Sequence, residues 1–130
     1  MTLESADPTG KRFVREGRGW RLGWDASAPS YPGLLAGSSW AMELTKAEFH
    51  TFRRLALEVS ETMQEIAGEL MDDERITCEA EADYLWLEAE GFPRAYRMRF
   101  ILKSGRQCEG EWDVDATQQV MQVIFHLTVF

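Results

Sequence analysis

Cysteine is nearly absent from this chain of 130 residues: Cys78 and Cys108 are the only two. Two thiols cannot build a disulfide framework or a four-thiolate zinc site. Histidine is as scarce. His50 and His126 stand far apart, and neither has a metal-ligand partner three or four residues away. His50 therefore reads as a surface helix residue, and His126 as a residue at a helix C-terminus, where a cation is mildly favoured. Long uncharged runs are missing too. The longest, Ala26 to Met42, carries Pro29, Pro32, four serines and two glycines, which no membrane helix tolerates. Val120 to Phe130 is apolar but too short to span. Met1 to Asp7 has no basic region ahead of an apolar stretch, so no signal peptide is expected. The expectation is a cytoplasmic protein with reduced thiols and no membrane contact.

Basic residues also run short. Fourteen Lys and Arg stand against 22 Asp and Glu, for a net charge of −8. Affinity for phosphate comes mainly from Lys and Arg, so this balance disfavours nucleic acid. Catalytic signatures are absent as well. Gly17-Arg18-Gly19-Trp20 lacks the Lys-Ser/Thr ending of a phosphate loop and does not open a helix. Asp72-Asp73-Glu74 lacks the alternating oxygen ligands and glycine of a calcium loop and reads as a solvated turn. Cys78 and Cys108 have Glu79 and Glu109 beside them, where a reactive thiol would want cations. They read as reduced, buried core residues. No enzyme activity, cofactor or metal is expected.

What the chain does have is a core. Hydrophobic residues make up 45%, with five Trp and seven Phe. Residues 1–12 are polar and read as a flexible arm, and residues 13–130 as one globular domain. Residues 13–24 read as extended, with Trp20, Leu22 and Trp24 alternating against Arg21 and Gly23. Residues 25–38 read as a loop, and residues 40–44 as a second strand. Thr45-Lys46-Ala47-Glu48 is a capping box. From it Phe49, Phe52, Ala56, Val59, Met63, Ile66 and Leu70 follow at spacings of 3 and 4, one seam on a helix of about 25 residues. Four strands then read as a meander near 75–81, 84–90, 94–102 and 107–113. Ile76, Cys78, Ala80, Leu85, Leu87, Ala89, Met98, Phe100, Leu102, Cys108, Gly110 and Trp112 share one face. A turn at Gly91–Arg94 would set Leu87 opposite Met98, Leu85 opposite Phe100, Glu88 opposite Arg97 and Trp86 opposite Arg99. Asp115-Ala116-Thr117-Gln118 reads as a second capping box, opening a helix to about His126. The order is β-β-α-β-β-β-β-α and the class α+β, with antiparallel hairpins and separate helices.

Charge is segregated along the chain. Glu58 to Glu90 holds twelve acidic residues against Arg75 alone, and Arg94 to Arg106 holds five basic residues and no acidic one. Adjacent hairpin strands would pair these charges internally. The other reading is a dipolar surface that steers a partner.

Several motifs together resemble a known family. Arg15 to Trp24, Tyr31-Pro32-Gly33-Leu34 and Trp40 to Thr45 are similar to the opening of a cyanobacterial family of unknown function, domain-of-unknown-function family 1818. Leu70 to Glu74, Cys78 to Glu81, Leu85 to Glu88 and Arg106 to Gly110 continue the likeness, which covers about residues 13–127. The resemblance implies no catalytic residue. It implies an architecture like the single-stranded-DNA-binding transcriptional-regulator fold of Whirly proteins and positive cofactor four. Those folds use curved four-stranded antiparallel sheets, each followed by a helix. The second half fits that unit; the first half, with two expected strands, departs from it.

By that analogy the candidate binding face is the outward side of the meander, with Tyr84, Trp86, Arg97 and Arg99. The same face carries Glu79, Glu81, Glu88, Glu90, Glu109, Glu111 and Asp113, seven carboxylates against two guanidiniums. The basic N-terminal segment, Lys11, Arg12, Arg15, Arg18 and Arg21, is a second candidate surface. The expected function is a non-enzymatic protein-interaction module, with a protein of unknown identity or a second copy of the chain as partner. The alternative is a single-stranded nucleic-acid-binding regulator, which the net acidic charge disfavours.

Overall fold

The computed structural model describes residues 12–69 and 74–127. Residues 1–11 of the expected arm, Lys11 among them, lie outside the described residues. So do Leu70 of the helix seam and Asp72 and Asp73 of the acidic turn.

The helical seam of the sequence folds as its spacing dictates. Glu48 donates its backbone N–H to the Thr45 hydroxyl at 3.1 Å, and the Thr45 N–H donates to the Glu48 carboxylate at 2.9 Å. This reciprocal cap satisfies donors that the first turn would otherwise leave open. Helix α1 (Lys46–Ala67) then buries Phe49, Phe52, Leu55, Ala56, Val59 and Met63 on one stripe. Before it come β1 (Arg12–Gly17), β2 (Trp20–Asp25), β3 (Gly33–Ala36) and β4 (Ala41–Leu44). After it come β5 (Ile76–Ala82), β6 (Leu85–Phe92), β7 (Ala95–Leu102), β8 (Cys108–Trp112) and α2 (Val114–Phe125). The class is α+β. Two antiparallel meanders, ordered β1-β2-β3-β4 and β5-β6-β7-β8, are each followed by a helix.

The first half corrects the two-strand expectation. The stretch 13–24 is a hairpin, not one strand, because Arg18 and Gly19 form a two-residue turn between the paired Gly17 and Trp20. Gly19 sits at φ +80°, a conformation open to glycine at little cost. Strand β3 lies in what reads as a loop. Its Leu35 pairs with Leu22 on one side and Met42 on the other, and all three are buried.

In the second half the shared face is as expected, but the β6–β7 register differs by two residues. Leu85 faces Leu102, Leu87 faces Phe100 and Ala89 faces Met98. The tight turn is Pro93–Arg94. Gly91 is a strand residue at φ +145°, where an added Cβ would sit 2.8 Å from the Ala95 carbonyl oxygen. An even slip keeps side-chain parity, so the apolar face survives it. The second helix is capped by Asp113, whose side chain accepts from the Ala116 N–H at 2.8 Å, and not by Asp115, which lies in the first turn.

Both helices touch the second sheet, α1 along β5 and β6 and α2 along β7, and both also touch strands of the first sheet. Aromatic rings join the halves. Trp40, from the first half, packs on Phe100 and Trp112 with centroids 5.4 and 5.7 Å away. Trp112 donates its indole N–H to the Ala36 carbonyl at 2.9 Å. Trp40 fits because residue 110 is glycine: a Cβ there would meet its ring at 2.6 Å. Cys78 is a buried free thiol whose pKa burial raises. Cys108 is also free but only half-buried, which corrects the expectation for that residue. It sits on the edge strand β8 and faces Leu102 alone.

Candidate functional site

The outward face of the second sheet carries three of the four side chains of the first candidate surface, Trp86, Arg97 and Arg99, and they are largely engaged from within. Glu90 stands opposite Arg97 across the β6–β7 ladder. Arg97 reaches Glu90 at 3.0 Å and Glu111 at 3.6 Å, and Arg75 reaches Glu90 at 2.6 Å. The two guanidinium hydrogen bonds hold the Glu90 carboxyl below its ordinary range and hold Arg97 above its own. Lys103 binds Glu81 at 2.6 Å.

Trp86 faces Ile101 rather than Arg99. Its ring still meets Arg99, whose guanidinium lies 5.2 Å from the ring centroid, and its N–H donates to Glu79 at 3.0 Å. One π face and the only polar atom of Trp86 are thus occupied. Tyr84 is 65% exposed but lies in the β5–β6 turn, after Asp83 at φ +56°, and not on the strand face. The internal reading of the charge segregation holds here, since cross-strand pairs bring the basic β7 against the acidic β6 and β8.

The second candidate surface differs. Arg12 and Arg15 are exposed on β1, Arg18 in the turn and Arg21 on β2. Arg12 lies near Asp25 and helps lower its pKa, an effect due first to the Ser27 hydroxyl hydrogen bond. None of the four arginines enters an ion pair among the described residues, although Glu16 stands opposite Arg21. The aromatic residues of this ribbon, Phe13, Trp20 and Trp24, are buried. Trp20 donates to Gln119 on α2 at 3.0 Å.

The two surfaces meet at one groove of about 300 Å³, lined by Gly19, Ser38, Ser39, Trp40, Arg97, Glu111, Trp112 and Asp113. A larger groove of about 660 Å³ runs between α1 and α2 past Ser60, Gln64, Tyr96, Met121 and Phe125. Burial raises the Tyr96 pKa against a hydrogen bond from Ser60. Among the described residues no group of His, Cys, Asp and Glu is placed to hold a metal. No helix among them is long and apolar enough to cross a membrane.

Sequence reasoning misses three features. Arg106, in the β7–β8 turn, binds the Glu43 carbonyl and the Glu48 carboxylate and lies over the Tyr31 ring, tying the second half to the first. The Glu48 hydrogen bond raises the Arg106 pKa. Only long-range contact reveals this, so no local signal exists. His50 is half-buried and stacks on Trp24 at 6.2 Å, and burial lowers its pKa. Phe125, 49% exposed, breaks the apolar stripe of α2 and is visible in the helical period alone.

The family described as a domain of unknown function (DUF1818) matches residues 15–127. No curated protein matches the chain. Among solved structures, the chain is similar to a protein of unknown function from Prochlorococcus sp. NATL2A, described as belonging to the DUF155 family. The two share 28% identity over 86% of this chain and 95% of that one, with a TM-score of 0.81.

Proposed function

We propose that this chain, which belongs to the DUF1818 family, works as a non-enzymatic protein-interaction module that meets its partner through the basic β1–β2 ribbon. One observation carries this reading. Arg75, Arg97, Lys103 and Arg106 are all in ion pairs with the chain's own carboxylates, whereas Arg12, Arg15, Arg18 and Arg21 make no ion pair among the described residues. Charges left unpaired on a surface raise encounter rates with a partner of opposite sign and select against partners of like sign. The reading includes a cytoplasmic location, which two free thiols suit.

The second reading is a single-stranded nucleic-acid-binding regulator. What favours it is the ββββα unit repeated in both halves, the arrangement the Whirly resemblance implies. Against it, single strands need aromatic platforms beside cations. Trp86 is covered by Arg99 on one face, and the ribbon's rings are buried.

Fluorescence anisotropy with a mixed-sequence single-stranded oligonucleotide separates the two. The module reading expects weak or no binding near physiological salt. It also expects proteins retained by the immobilised chain from native extract to be lost with Arg12→Glu/Arg15→Glu. Micromolar or tighter oligonucleotide binding, abolished by Trp86→Ala, would replace it with the second reading.

A further inference from the structure

We infer that the open edge of β1 takes an extended, acidic segment of a partner protein as an additional antiparallel strand. The inference rests on the module reading and specifies its mode. Strand β1 is the first strand of its sheet, with β2 on one side and no described strand on the other. Five of its six residues are exposed, and only Phe13 is buried.

The hydrogen-bonding direction of each residue follows from the turn. Gly17 and Trp20 flank a two-residue loop and are paired, so they exchange hydrogen bonds with each other. Antiparallel ladders alternate between hydrogen-bonded and non-hydrogen-bonded pairs. Arg15 and Phe13 therefore point their backbone groups into β2, while Arg12, Val14 and Glu16 turn N–H and C=O outward. That is the array a strand-adding peptide completes. Edges of this kind are normally blunted by charge, and here the charge has one prevailing sign, with Arg12, Arg15, Arg18 and Arg21 around Glu16.

Two other occupants fit less well. A sugar-phosphate chain cannot complete a peptide ladder, and Phe13, Trp20 and Trp24 are buried away from any base. A second copy would offer its acidic edge strand β5, but Glu79 already accepts from Trp86 and Glu81 from Lys103. The segment that fits has one carboxylate beside Arg12 on one face of the sheet, a second beside Arg15 on the other, and a small apolar residue beside Val14.

The test uses the full chain, a fluorescein-labelled peptide of repeated Glu-Val-Thr, which run antiparallel sets Glu beside Arg15, Val beside Val14 and Glu beside Arg12, and amide hydrogen exchange. Expected are saturable binding that weakens as salt rises and slower exchange at the Arg12, Val14 and Glu16 amides. Binding should fall about tenfold or more in Arg12→Glu/Arg15→Glu, by the loss of charge complementarity. It should disappear in Val14→Pro, which removes an outward N–H without touching the β2 ladder, and persist in Val14→Thr. If Val14→Pro does not fold, amide protection in the unaltered chain decides. Absence of binding overturns the inference, as does binding indifferent to Val14→Pro, an edge already protected in the free chain, self-association that displaces the peptide, or preference for labelled oligothymidylate. If Val14→Pro keeps extract partners that Arg12→Glu/Arg15→Glu loses, the edge mode fails and the module reading stands. If neither variant changes what is retained, the module reading fails.

Discussion

The two sheets follow the same course, four antiparallel strands leading into a helix, and handle charge in opposite ways. On the second sheet nearly every exposed cation has an anion one or two strands away: Arg97 with Glu90 and Glu111, Arg75 with Glu90, Lys103 with Glu81. Cross-strand geometry is responsible, because β6 and β8 bring glutamates to the positions opposite the β7 arginines. On the first sheet Arg12 stands opposite Asp25 and Arg21 opposite Glu16, but neither pair closes into an ion pair among the described residues, and the row between them holds Val14, Gly23 and Leu34. Equal topology thus yields one self-neutralised face and one face with charge to offer, which is a difference of function grafted on a repeated scaffold.

The comparison can be sharpened first by asking whether the halves form one cooperative unit. Met63 on α1 is fully buried, with its sulfur 3.5 Å from Cys78 of the second sheet. Met63→Glu should cost on the order of 3–5 kcal/mol, the penalty of an unpaired buried charge. Circular dichroism should show loss of the fold in a single transition, since α1 touches both sheets. Two separate transitions would mean that the sheets are independent.

A smaller effect concerns the second sheet alone. Glu90 titrates below the ordinary glutamate range because Arg75 and Arg97 donate to it. The folded chain binds fewer protons there than the unfolded one. The stabilisation is therefore complete above the ordinary range and lost as pH falls through the lowered value. Glu90→Gln should lower stability by about 1 kcal/mol or less at neutral pH, given its exposed partners, and match the unaltered chain in acid. Equal denaturation curves at neutral pH would show that the network contributes nothing.

Legibility in the sequence divides along the same line. The second sheet could be read because apolar residues recur at every second position along each of its strands between Ile76 and Trp112, and parity tolerated even a two-residue slip. That slip came from Gly91, whose glycine serves a close backbone approach within the strand and not the turn. The first sheet was only partly legible. Alternation at Trp20, Leu22 and Trp24 continues past the Arg18–Gly19 turn, which masks the hairpin, and β3 has four residues among prolines and serines. The candidate surfaces were legible as residues, but their availability was not. Trp86, Arg97 and Arg99 resemble a binding platform until the ladder register places Glu79, Glu90 and Glu111 against them. Lys11 lies outside the described residues.

The central claim is that the second sheet's arginines are engaged internally and the first sheet's are not. Thermal denaturation of Arg97→Ala and Arg15→Ala, side by side at low and high salt, tests it most directly. Arg97→Ala should lose about 0.5–1 kcal/mol at low salt and less at high salt, because a networked surface pair is screened. Arg15→Ala should leave the midpoint unchanged at both. A loss at Arg15 equal to that at Arg97, or no loss at Arg97, would contradict the account.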